Sequence, residues 1–150
     1  MMQTPTTSRD SGFTLIELMV TIVIATMLIV IAIPSYTSQM RKSKRTDAKT
    51  ALLDLAGREE RYMATNSAYT ADPVALGYGA GATFPVTLPN NDYTINVTNL
   101  GTADNTATPP TPASYALTAT AINAQNKDTA CATFSLNSQG QQTATSTSCW

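Results

Sequence analysis

The sequence contains no histidine, and that absence removes more chemistry than any other feature of its composition. Without it there is no His-based catalytic triad, no His-ligated catalytic zinc and no imidazole general base. Cysteine is scarce as well. Cys131 and Cys149 are the only two, too few to hold a metal without histidine beside them. No nucleophile-base pair is recognisable, so no enzymatic activity, metal or cofactor is expected. Charge is also sparse, at 13% of residues with a net of −1. Beyond Thr65 the only basic residue is Lys127, set against Asp72, Asp92, Asp104 and Asp128. Phosphate contacts require Lys or Arg, so direct nucleic-acid binding by this part is not expected.

What is present divides the chain in two. The 150 residues suit one domain, yet their average, 43% hydrophobic, combines an apolar block from Phe13 to Ile33 with a remainder rich in Thr, Asn and Ala. The block is long enough to cross a bilayer as a helix, at about 1.5 Å per residue. A cleaved secretory signal would be shorter and would end in a small-residue cleavage site, which is missing here. A buried core helix would need an apolar wrapping that no other part of the chain supplies. A membrane span is the better reading.

The span carries one charge, Glu17. A carboxylate inside a membrane is costly, about 2.5–3.5 kcal/mol at mid-span on insertion scales, and such a residue is by default a functional one. It requires a cationic partner. If the chain were cut just before Phe13, a new α-amino group would lie four residues from it, at a helix N-terminus that favours the acid and disfavours the amine.

Ser11-Gly12-Phe13-Thr14-Leu15-Ile16-Glu17-Leu18, preceded by a short polar leader and followed by an apolar run closed by Ile33-Pro34-Ser35-Tyr36, resembles the N-terminal signature of type IV pilins. The resemblance implies a leader of residues 1–12, a membrane and assembly helix of residues 13–33, and residues 34–150 as an amphipathic helix with a globular β head. It implies cleavage between Gly12 and Phe13 by a membrane-embedded prepilin peptidase, methylation of the new amino group of Phe13, and a docking role for Glu17 against the N-terminus of a neighbouring subunit. Pro34 stands where pilins often bend the helix, and a proline there removes a helix hydrogen bond in any case. The implied partners are other pilin subunits, the peptidase, the inner-membrane pilus assembly machinery and membrane lipid.

Orientation is the point of conflict. The leader has only Arg9, offset by Asp10, while Arg41, Lys42, Lys44 and Arg45 follow the span. The positive-inside rule alone would place the later residues in the cytoplasm. The resemblance implies the reverse, with the leader inside and the head in the periplasm of a bacterial inner membrane, before passage into an extracellular filament.

Past Pro34, apolar residues at Ala48, Ala51, Leu52, Leu55, Ala56, Tyr62 and Met63 recur at threes and fours, which predicts an amphipathic helix whose stripe packs on the segment after it. Asp54 with Arg58, and the Arg58-Glu59-Glu60-Arg61 cluster, fit a solvated opposite face. From Ser35 to Thr65 there are seven basic and four acidic residues, and the basic run beside the span is expected to be a solvated, lipid-proximal face. Downstream, Tyr93, Ile95 and Val97, then Tyr115, Leu117 and Ala119, then Ala132, Phe134 and Leu136 each alternate with polar residues. Gln141 to Thr145 follows a turn signal at Asn137-Ser138-Gln139-Gly140. The expected fold class is therefore α+β and pilin-like, a long N-terminal helix on an antiparallel sheet of three or four strands.

Gly77-Tyr78-Gly79-Ala80-Gly81 lacks the lysine and the strand-loop-helix setting of a phosphate loop. Thr108-Pro109-Pro110-Thr111-Pro112 reads as an extended spacer. In a head outside the cytoplasm, Cys131 and Cys149 are expected to form a disulfide. Tyr69-Thr70, Tyr93, Tyr115-Ala116-Leu117-Thr118-Ala119, Asp128 with Cys131, Gly140 and the closing Cys149-Trp150 further resemble a group of minor pilins with a C-terminal disulfide. A major pilin has the same architecture. A type II secretion pseudopilin shares the N-terminal signature, but its principal form more often carries an acidic calcium loop, for which Asp128 is a thin ligand set. A DNA-receptor pilin would call for a basic head.

Overall fold

The computed structural model describes residues 12–150, so the expected leader, apart from Gly12, lies outside the described residues. Helix α1 runs Leu15–Asn66. Five strands follow, β1 Val86–Thr87, β2 Tyr93–Gly101, β3 Ser114–Ala121, β4 Thr133–Asn137 and β5 Gln142–Ala144, antiparallel throughout and ordered as they occur in the chain. The chain separates into two compact units, one ending at Gln39 and one spanning Met40–Trp150.

In the first unit every described residue of the apolar run is exposed, with Phe13 at 80% and Ile31 at 72%. This segment of α1 is long and apolar enough to cross a membrane. In the second unit, the expected stripe of α1 buries Ala48, Leu52 and Leu55. Strand alternation buries Tyr93 and Ile95 of β2, Tyr115, Leu117 and Ala119 of β3, and Phe134 and Leu136 of β4 in the same core. The edge-to-face pair of Tyr93 and Phe134, 6.0 Å between centroids, links β2 to β4 across the intervening β3 within this core. Helix α1 ends at Asn66, where Ser67 turns left-handed (φ 56°) and the Asn66 side-chain amide and the Thr65 hydroxyl both donate to the carbonyl of Tyr62.

The sheet has one strand more than expected. Strand β1 is two residues long, set between Pro85 and Pro89, and too short to display any alternation. It pairs Val86 with Ile95 and Thr87 with Thr94. Strand β5 forms where anticipated, and the preceding turn closes on Gly140 at φ 75°, with Asn137 Oδ1 accepting the N–H groups of Gln139 and Gln141. A register shift between Val97 and Asn99 leaves Val97 only half-buried, so the inward set of β2 ends earlier than its sequence alternation.

Two charge expectations are corrected. Lys44 and Arg45 do not belong to a solvated, lipid-proximal face, because both are taken up by head carboxylates of the same unit. Glu59 is not on the solvated face at all; it is fully buried.

Candidate assembly site

The N-terminal site is built by a helix start. Thr14 caps α1, its Oγ1 accepting the Glu17 N–H at 3.3 Å, and Glu17 occupies the third helical position, where the helix dipole favours an anion. The Thr-x-x-Glu spacing is a sequence-level cap signature that places Glu17, and Thr14 is the residue that sequence reasoning passed over. The other hydroxyls of the segment turn inward on their own helix. Thr21 donates to the Leu18 carbonyl at 2.9 Å and Thr26 to that of Val23 at 2.8 Å. The Glu17 side chain is exposed and has no hydrogen-bond or ionic partner among the described residues. Gly12 and Phe13 precede the helix in exposed, non-helical backbone, and a side chain at Gly12 would meet nothing within 4 Å. Pro34 lies inside α1 and has no N–H to offer the carbonyl of Val30.

A second group of residues holds the start of the head. Lys44 Nζ lies 2.7 Å from Asp92, and Arg45 grips Asp128 with two hydrogen bonds of 2.7 Å each. Gln125, fully buried in a short 3-10 turn, donates to Asp128 Oδ2, the Tyr93 hydroxyl and the Arg41 carbonyl. Asn90 donates to Asp47 at 3.1 Å. The Arg45 guanidinium is held above its ordinary pKa chiefly by its hydrogen bonds to Asp128, with burial acting against them. Both Asp128 carboxylate oxygens are thus engaged by Arg45. Among the described residues no cluster of three or more His, Cys, Asp or Glu is placed to hold a metal ion.

Further along α1, Arg58 pairs with Asp54 at 2.7 Å as its i,i+4 spacing predicts. It also donates to the Leu76 carbonyl and lies 4.7 Å from the Tyr78 ring centroid, so it fastens the loop after the helix as well as decorating a face.

Cys131 and Cys149 form the expected disulfide, with 5.6 Å between their Cα atoms and a sequence separation of 18. Closing a loop of that length contributes about 3 kcal/mol in the chain-entropy picture. Trp150 is held beside it. Its indole N–H donates to the Thr143 carbonyl, its ring meets Phe134 edge-on at 5.7 Å, and Lys49 Nζ lies 5.8 Å from both rings.

Comparison with known proteins now adds to this geometry. Residues 7–33 match the family described as the prokaryotic N-terminal methylation motif. Residues 34–135 match the family described as type IV minor pilin ComP, DNA uptake sequence receptor. The chain is 34% identical over 70 residues to the type IV major pilin protein PilA of Myxococcus xanthus (strain DK1622), a match covering 47% of this chain and 32% of that protein. It therefore spans about a third of the length of that curated relative, 32%. With two family matches that together run from residue 7 to residue 135, on a long helix packed against an antiparallel sheet, the chain belongs to the type IV pilins.

Proposed function

We propose that this chain is a minor subunit of a type IV pilus, anchored in the inner membrane with its head in the periplasm and drawn into the filament through its N-terminal helix. The observation that carries this reading is the segment from Phe13 to Ile33, wholly exposed, self-satisfied in its hydroxyls, and bearing one carboxylate without a partner among the described residues. Such a surface suits lipid first and like helices afterwards. The Phe13 amino group released by cleavage after Gly12 is the cation that Glu17 of a neighbouring copy lacks, and Pro34 is where the helix gives. The Cys131–Cys149 bond suits an oxidising compartment.

Mass spectrometry of protein sheared from cells with the filaments is expected to begin at Phe13 with one added methyl group. A bulky substitution of Gly12 is expected to leave the full-length precursor in the membrane. A mature N-terminus beyond Ile33 would mean an ordinary secretory signal and would overturn the reading.

One observation favours a second reading, a receptor for DNA: the description of the family that matches residues 34–135. The charge inventory opposes it. With Lys44, Arg45 and Arg58 in ion pairs, the described cations without one are Arg41, Lys42, Lys49, Arg61 and Lys127, and Lys49 covers two aromatic rings. Titration with duplex DNA at physiological salt is expected to show nothing tighter than the non-specific range of about 10⁻⁴–10⁻⁶ M. Tighter binding that depends on DNA sequence would put the receptor reading first.

A further inference from the structure

Glu59 is the one acid of α1 that is wholly buried among the described residues. Its Oε2 accepts the N–H of Thr70 at 3.1 Å, and its Oε1 has no partner among the described residues. A buried carboxylate half-satisfied in this way is unfavourable when charged and much less so when neutral. Among the described residues Glu59 has no ion pair to offset the charge. On its own helix, Glu60 adds a like charge while Arg58 is engaged by Asp54 and the Leu76 carbonyl. From the strap that follows α1, residues 69–76, the Tyr69 hydroxyl donates to Glu60 at 3.1 Å and Asp72 caps the Val74 N–H at 2.9 Å. From β3, Tyr115 meets the Tyr69 ring edge-on at 4.7 Å.

The strap is attached to α1 through three polar links: Thr70 to Glu59, Tyr69 to Glu60 and Arg58 to the Leu76 carbonyl. It also presses buried Pro73 and Leu76 inward while leaving Ala71, Asp72, Val74 and Ala75 exposed. We propose that Glu59 is a proton-operated latch between α1 and this strap: the neutral acid fits the site as built, whereas the anion draws water to Oε1 and the strap opens to admit it. The proton is exchanged with solvent water. Opening alters the surface that the head offers to whatever touches the strap, so the acidity outside the cell sets the shape of that surface.

Burial holds the Glu59 carboxyl above its ordinary pKa, with Glu60 acting in the same sense and the Thr70 N–H acting against both. A folded-state pKa raised above the ordinary 4.5 gives stability that is present at lower pH and lost as pH rises through the folded value. The useful quantity is the difference between wild type and Glu59→Gln, which cancels every contribution the two proteins share.

Full-length protein in detergent micelles is melted between about pH 4 and about pH 8 as wild type, Glu59→Gln and Glu60→Gln. The melting temperature of Glu59→Gln is expected to match wild type at the acid end and exceed it by about 4 °C at the alkaline end, while Glu60→Gln, which keeps Glu59, still loses stability as pH rises, with a smaller slope than wild type. In wild type, the amides of Thr70, Leu76 and Tyr78, corrected for intrinsic exchange chemistry, are expected to lose hydrogen-exchange protection over the same range. A gap between Glu59→Gln and wild type that is constant with pH overturns the latch. If Glu59→Gln does not fold, the wild-type exchange series decides alone, and strap protection that does not change with pH overturns the proposal.

Discussion

Glu17→Leu is expected to insert, be cleaved and form the Cys131–Cys149 bond, and yet to be lost from filaments. The substitution removes the costliest group in an otherwise apolar span, so it makes the anchor more compatible with lipid rather than less. Neither the helix cap nor the head depends on the side chain, because Thr14 bonds the backbone N–H of Glu17 and the core begins at Ala48. What disappears is an anion that in a filament would pair with the amino group of Phe13 on an adjacent copy, the pairing that offsets its desolvation. Sheared and purified pili, probed for the subunit against total membrane content, measure the effect directly. A tenfold or greater fall in incorporation corresponds to about 1.4 kcal/mol or more of lost docking energy. Wild-type incorporation of Glu17→Leu would remove the acid from any role in docking.

Arg45→Ala is expected to be the most damaging single change in the head, at about 3 kcal/mol. It strands Asp128, whose side chain is 5% exposed and whose remaining donor is the amide of Gln125. Asp128→Ala is expected to cost less, since the Arg45 side chain, 21% exposed, can turn its guanidinium toward water. The pair of Lys44 and Asp92 is more open, at 29% and 10%, and Lys44→Ala is expected to cost about 1 kcal/mol or less and to be more sensitive to salt. Urea midpoints of the full-length variants in detergent order the three. Equal losses for Arg45→Ala and Asp128→Ala would show that the stranded carboxylate is not what matters.

The parts of this architecture that were legible in the sequence are the parts with a local period. Ala48, Leu52 and Leu55 mark a helix face by spacing alone, and Tyr93 with Ile95, Tyr115 with Leu117, and Phe134 with Leu136 mark strands in the same way. Strand β1 has two residues between prolines and no room for a period. The clamp was illegible for another reason. Asp92 lies 48 residues from Lys44, and Asp128 lies 83 from Arg45, so only their charges were visible and not their meeting. The opposite charge balance of helix and head was its one trace. Glu59 misled because its neighbours Arg58, Glu60 and Arg61 look like a wet face, and a helix can turn one member of such a run inward without changing the pattern. The expectation for Gly12, Phe13 and Glu17 rests on a contiguous motif, which needs no tertiary context to be read, and residues 7–33 match a family model of that motif.

The hydroxyls of Thr21 and Thr26, folded back onto the carbonyls of Leu18 and Val23, bear on how such helices slide past one another. A neighbour running alongside meets hydrocarbon and almost nothing else over the roughly 30 Å from Phe13 to Ile33. Displacing two such rods along their common axis by one helical turn, about 5.4 Å, exchanges one apolar contact for another at little cost. On the docking role proposed for Glu17, the carboxylate at position 17 is what distinguishes one offset from the next. A bundle of these rods would then be smooth except at that notch, and a growing fibre that stacks its members at a uniform rise would have one chemical mark per member by which to measure it.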